Sequence, residues 1–215
     1  MGLDIVTIVI IAANVIISLK GFSDFNFFEK YKFNIGGINR GEKIRVFSSG
    51  FLHVDMTHLF FNMFTLYFFA DVVISRMGQV NFLVVYIGSL LIGSLLSYYF
   101  HKKEFHYSAV GASGAVTGIL YSAILLDPSM KLMFIFVPIP IPAYIFGIGY
   151  LLYSIYGMKS RLGNIGHDAH FGGAIGGYVL TIILAGWVLT QNFTMVILLA
   201  IPIVLLYVLH RQGKI

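Results

Sequence analysis

Residues 80–100 read VNFLVVYIGSLLIGSLLSYYF, 21 positions without an Asp, Glu, Lys, Arg or His. About 20 such residues, rising ~1.5 Å each, cross the ~30 Å hydrocarbon core of a bilayer, so the stretch is predicted to be a spanning helix. Working outward, further apolar segments lie near residues 3–19, 58–75, 109–126, 141–156, 169–188 and 193–209. Hydrophobic residues form 58% of the 215-residue chain and charged ones 11%, which excludes an ordinary water-soluble fold. The expectation is all-α: a polytopic transmembrane helical bundle. Seven spans leave only about 75 residues for termini and loops, so one membrane-embedded domain is expected, without a second, aqueous one.

The chain has no cysteine, which removes disulfides, thiolate metal sites and a cysteine nucleophile. Fourteen basic against nine acidic residues give +5. The bases sit singly or in pairs beside apolar spans, so anionic lipid headgroups, not nucleic acid, are the expected partner. Residues 3–19 lack a basic leader and a small-residue cleavage site and are read as a retained helix. Residues 21–57, with Lys20 at their edge, carry six of the fourteen bases together with Phe25, Phe27, Phe28, Tyr31 and Phe33. That mixture suits a segment lying in the membrane interface. Pro138, Pro140 and Pro142 predict extended chain over residues 131–142, feeding a short fifth span. A tight hairpin over residues 189–192 is expected before the last span.

Polar residues inside apolar spans are costly in lipid and point to function or to a bundle-facing site. They concentrate in three places: His58 and Asn62, preceded by His53; Gly111-Ala112-Ser113-Gly114; and His170-Phe171-Gly172-Gly173 with Gly177. Each falls near the start of an even-numbered span, and successive spans run antiparallel, so all three reach one membrane face. A serine hydroxyl is a weak nucleophile until a base takes its proton; Ser113 is the candidate nucleophile and His170 the candidate base. Gly114 and Gly118, and Gly173 and Gly177, form small-xxx-small pairs that let two helices approach, with Gly111 included in the expected packing set. His58 and Asn62, spaced i, i+4, share a helix face and are candidate oxyanion donors with the Ser113 amide. His53 lies outside the span and is read equally well as a water-facing loop residue.

These three motifs, in order, resemble the rhomboid family of intramembrane serine proteases: His53-x4-His58-x3-Asn62, Gly111-x-Ser113-Gly114 and His170-x2-Gly173-x3-Gly177. The likeness runs from about residue 42 to 177. It implies a six-helix core with residues 193–209 as an addition, a Ser113–His170 dyad, an oxyanion site of His58, Asn62 and the Ser113 amide, no cofactor, and membrane-protein substrates. It also implies a multi-pass protein, expected in the cell membrane with the site opening away from the cytoplasm. Two departures stand out. Arg45 follows Ile44 where relatives often have Trp, and Thr117 stands where relatives often place an aromatic ring against the catalytic histidine. Asp168, two residues from His170, points to another helix face and is read as a helix-start residue.

Two other readings use the same residues. His53, His58, His167, Asp168 and His170 could gather into a metal-dependent hydrolase site, although no HExxH occurs and the Ser113 motif then has no role. A non-catalytic rhomboid-like protein binding or transporting a client is the other, separated by whether Ser113 reacts with a serine-directed probe. Lys and Arg by side give twelve on the motif face and two, Arg76 and Lys131, on the other. By charge alone the motif face would be cytoplasmic, opposite to the family expectation.

Overall fold

Asp4 opens the first helix: its side chain accepts from the Val6 amide at 2.9 Å and caps α1, Ile5–Ser23. The computed structural model describes residues 4–134, 137–160 and 166–215. After α1 come three short helices, α2 (Phe25–Tyr31), α3 (Ile35–Asn39) and α4 (Arg45–Ser48), and a 3-10 turn over Ser49–Phe51. Then follow α5 (Met56–His101), α6 (Ser113–Leu126), α7 (Ala143–Ser160), α8 (His167–Leu184), the one-turn α9 (Val188–Gln191) and α10 (Phe193–Arg211). Short strands pair as two antiparallel ladders, β1 (Phe33–Asn34) with β2 (Ser108–Ala109) and β3 (Lys131–Phe134) with β4 (Val137–Pro142). The architecture is the all-α membrane bundle expected. By length and composition α1, α5 and α10 are each sufficient to cross a bilayer.

A straight α5 of 46 residues would be ~69 Å long, about twice the hydrocarbon core. It reverses at Gly78, whose φ of +79° and ψ of 167° lie where L side chains are strained. Contacts along α1 fix the directions. Gln79 donates to Asp4 at 2.9 Å and Asn14 to Tyr86 at 3.2 Å, while Ser18 reaches His53 at 2.8 Å. The second arm, residues 79–101, therefore runs alongside α1, and the first arm, 56–77, runs antiparallel to it. The two arms are the second and third expected spans.

The centre is a tight trio of α6, α8 and the second arm of α5. A methyl group on Gly173 would overlap the Gly114 carbonyl, and one on Gly177 the Gly118 carbonyl. The two glycine pairs lie where α6 and α8 approach most closely, the helices running parallel. Gly93 of the second arm lies against α8, where an added methyl would stand 2.7 Å from the Ala169 oxygen. Thr181 donates to Ser122 at 2.7 Å one turn further down the same seam. α7 runs antiparallel to α6, with the Tyr121 hydroxyl on the Gly147 carbonyl at 2.5 Å. α10 returns along the outside, Tyr178 donating to Val196 at one end and Tyr99 meeting His210 at the other.

Several expectations change. The fourth span does not begin near residue 109: Ser108 and Ala109 are strand and α6 starts at Ser113, because Gly111 at φ +132° cannot continue a helix. The interfacial segment 21–57 is folded, with Arg45 as its pin. Arg45 is 8% exposed, donating to the Glu29 carbonyl at 2.7 Å, the Lys32 carbonyl at 3.0 Å and Glu42 at 2.6 Å. It anchors the segment without the aromatic neighbour that relatives often carry. Among the described residues the proline-rich stretch is extended, as expected, with β3 and β4 paired antiparallel; residues 135–136 lie outside the described residues. The 189–192 hairpin is replaced by a longer connection containing α9, since α8 ends at Leu184.

Candidate active site

α6 is only 14 residues, ~21 Å, and every residue from Gly114 to Leu126 is buried. With Asp127 at its far end, the helix is ~9 Å short of the ~30 Å core, so its first residue, Ser113, lies below the opposite face. A helix N-terminus at that depth presents backbone N–H groups that have no intrahelical acceptor. The approach to Ser113 is held by bonds from two backbone amides: Gly111 donates to the Ser49 carbonyl at 3.0 Å and Ala112 to the His53 side chain at Nε2, 3.3 Å. Gly111 does not pack helix on helix as expected. It sits in this loop against His58, where an added Cβ would stand 2.7 Å from Cε1 and 3.6 Å from the Ser113 hydroxyl.

Ser113 Oγ and His170 Nε2 are 2.7 Å apart. The Gly114–Gly173 contact sets this distance, because it brings α8 against α6 at the level of the pair. His170 is 8% exposed, and its other nitrogen, Nδ1, is 2.7 Å from the Tyr150 hydroxyl on α7. The Tyr150 and His170 rings are inclined at 27° with centroids 5.7 Å apart. Tyr150 was not singled out from the sequence. Thr117, at the position where relatives often have a ring, instead donates its hydroxyl to the Ser113 carbonyl at 2.7 Å.

His58 and Asn62 line the same cavity of about 940 Å³ as Ser113 and His170. Phe61 and Thr65 on the first arm of α5 and Phe146 and Tyr150 on α7 form its sides. Asn62 Nδ2 donates to the His58 carbonyl at 3.0 Å. A primary amide has two N–H groups, so one remains for a ligand.

His53 is wholly buried, contrary to the water-facing alternative. Burial, with His58 beside it, pushes its pKa down to about 3, so the ring is neutral. Nε2 accepts from Ala112, which places the proton on Nδ1, donated to Ser18 at 2.8 Å; Ser18 in turn donates to the Phe51 carbonyl at 3.0 Å. The ring is a strut between α1 and the loop before Ser113.

Asp168 lies in the first turn of α8, after the N-cap Gly166, and does not reach His170. Its carboxylate faces the Tyr107 hydroxyl and His101 Nε2, each at 3.5 Å. The Tyr107 ring is stacked on His101 with centroids 3.6 Å apart, and its phenol is pushed up first by burial and then by the Asp168 charge. The histidines do not form the alternative metal site: among the described residues no three His, Asp or Glu side chains gather in a metal-binding group. His167 packs edge-on against Tyr153, its centroid 6.4 Å from that of His170.

These features define a class of protein: a multi-pass helical membrane protein in which a half-buried serine and a buried histidine meet at the start of a short central helix. A family model described as Rhomboid domain matches residues 40–187, and the chain belongs to the rhomboid family. It is 30% identical over 152 residues to Rhomboid protein 1, mitochondrial, of Saccharomyces cerevisiae, covering 69% of this chain and 42% of that protein. It is 28% identical over 187 residues to RHOMBOID-like protein 12, mitochondrial, of Arabidopsis thaliana, covering 80% and 55%. It is also 30% identical over 135 residues to the mouse Presenilin-associated rhomboid-like protein, mitochondrial, covering 60% and 35%. The chain spans about half or less of the length of these relatives. α10 lies beyond the matched region.

Proposed function

We propose that this protein is an intramembrane serine endopeptidase that cleaves transmembrane segments of other membrane proteins. The observation that carries the reading is the 2.7 Å contact between Ser113 Oγ and His170 Nε2, at the open end of a helix too short to cross and facing a cavity of about 940 Å³. Ser113 attacks the scissile carbonyl while Nε2 of His170 takes its proton; the imidazolium then returns that proton to the leaving amine. Water, deprotonated by the same nitrogen, releases the acyl group from Ser113. The developing oxyanion is met by the Ser113 amide, the free N–H of Asn62 and the His58 ring, with the positive end of the α6 dipole behind them.

A helical substrate has its carbonyls bonded within the helix and shielded, so it must unwind locally to present one to Ser113. The catalytic unit on this reading is one membrane domain, with α10 added to the matched core. We place its site face on the extracytoplasmic side. The mitochondrial designations belong to the relatives' names and are not carried over to this chain.

The test is labelling of the purified protein in detergent by a fluorophosphonate, together with cleavage of a model transmembrane substrate. Wild type is expected to label and cleave, and Ser113→Ala to do neither. A Ser113→Ala variant that retains more than about 1% of turnover would remove Ser113 as nucleophile, since loss of such a group costs several orders of magnitude.

A further inference from the structure

We infer that Tyr150 of α7 is the positioning residue of the dyad, holding His170 in the one tautomer that can accept the Ser113 proton. The inference rests on the protease reading and adds a third helix to its machinery. For Ser113 to donate to Nε2, the neutral ring must carry its own hydrogen on Nδ1, and that hydrogen needs an acceptor. In serine hydrolases built on a triad the acceptor is a carboxylate. Here Asp168 is turned toward Tyr107 and His101, and the atom facing Nδ1 is the Tyr150 hydroxyl at 2.7 Å.

A phenol both accepts and donates, so the direction of this bond has to be decided by what lies beyond it. If Tyr150 donated to Nδ1, the ring proton would move to Nε2 and point at Ser113, blocking proton transfer. The Thr117 hydroxyl lies beside the same phenol and commits its own hydrogen to the Ser113 carbonyl at 2.7 Å. Its oxygen lone pairs are left to take the Tyr150 hydrogen. On this inference the bonds run one way, from His170 Nδ1–H to Tyr150 and from Thr117 to the backbone of Ser113, with the Thr117 oxygen assigned as acceptor of the Tyr150 hydrogen. A threonine at 117 and a tyrosine at 150 are two halves of one arrangement, because the small side chain leaves room for a ring arriving from α7. A neutral phenol also avoids the desolvation penalty of a carboxylate at this depth. Phe146, one turn away on α7, lies nearly parallel to Tyr150 with ring centroids 5.9 Å apart.

The experiment compares full-length wild type with Tyr150→Phe, which removes the hydroxyl and keeps the ring. Substrate kinetics are expected to show kcat lowered about 10- to 100-fold, the scale of a misplaced reacting group, with KM within about twofold and an unchanged melting temperature. Independently of turnover, 15N NMR of histidine-labelled protein, with His170 assigned by difference against His170→Ala, is expected to show the Nδ1–H tautomer in wild type and a mixture in Tyr150→Phe. Tyr153→Phe, one turn on and facing His167, should match wild type in both. Thr117→Val provides a second variant if Tyr150→Phe melts early, and it is expected to shift the tautomer in the same direction. A wild-type tautomer in both Tyr150→Phe and Thr117→Val overturns the inference, whether kcat falls or not. Failure of the protease reading appears separately, as retained cleavage or labelling in Ser113→Ala.

Discussion

At the residue scale, Ser113 and His170 were legible because their neighbours constrain them: a Gly-x-Ser-Gly and a His-x-Gly-Gly are unusual where lipid penalises polarity. Tyr150 was not, because it is one of 13 tyrosines and its meaning comes from α7 lying across the mouth of α6 and α8. Asn62 was legible as a polar residue in a span. On the oxyanion assignment, Asn62→Ala should lower turnover about 10²- to 10³-fold with KM little changed. Steady-state kinetics showing wild-type kcat in both Asn62→Ala and His58→Ala would remove the assignment. The burial of His53 could not be read from its place between spans, and it gives the chain a pH dependence. The ring holds fewer protons folded, with a pKa of about 3, than unfolded, near 6.5. Its contribution is complete above pH 6.5 and is lost as pH falls toward 3, at about 1.4 kcal/mol per pH unit at most. Thermal melts between pH 7 and 4.5 are expected to fall less steeply for His53→Phe than for wild type, although the variant is less stable at pH 7. Parallel curves would mean that His53 is not held neutral.

At the element scale, the spans were readable from unbroken apolar runs, with ends shifted by two to four residues in most cases. What could not be read was how the chain between spans folds, since the Arg45 pin and the β1–β2 ladder join residues far apart in sequence. The start of α6 is the instructive case. Apolar composition continues through Ala109 and Val110, yet Gly111 and the bonds to Ser49 and His53 stop the helix at Ser113, and that stop exposes the amides used in the proposed chemistry. The glycine seam is the element-scale feature to which sequence spacing pointed. Gly177→Val should lower melting temperature and activity together, because the side chain would overlap the Gly118 carbonyl and force α8 from α6. A displacement of about 1 Å at the dyad is enough for about a hundredfold loss in rate. Gly186 lies past the end of α8, where an added Cβ would meet only the Ile182 oxygen at 3.8 Å, so Gly186→Ala is the control and should melt like wild type. Calorimetry or thermal scanning in one detergent checks both; equal melting for Gly177→Val and wild type would contradict the seam.

At the scale of the whole molecule, the fold separates the two faces clearly. The Gly78 reversal and Asp4 lie at one, where Gln79 meets Asp4, while the site, the first-loop helices and the end of α10 lie at the other. Sequence charge and family resemblance disagree about which face meets the cytoplasm. Of the bases on the site side, Lys20, Lys32, Arg40 and Arg45 each pair with a carboxylate, and Arg45 is buried beneath the segment it pins. They help to fold a structured loop, which is still short enough, under about 60 residues, to count toward the positive-inside bias. The absence of cysteine makes the orientation directly measurable, since one introduced thiol is the only thiol in the chain. Lys103→Cys at the site face and Arg76→Cys near the opposite turn are both exposed positions. In intact cells or right-side-out vesicles, a membrane-impermeant maleimide should label Lys103→Cys at once and Arg76→Cys only after permeabilisation. The reverse pattern would place the Ser113 cavity on the cytoplasmic side. It would leave the dyad chemistry untouched but require substrates whose cleavable segment lies near that surface.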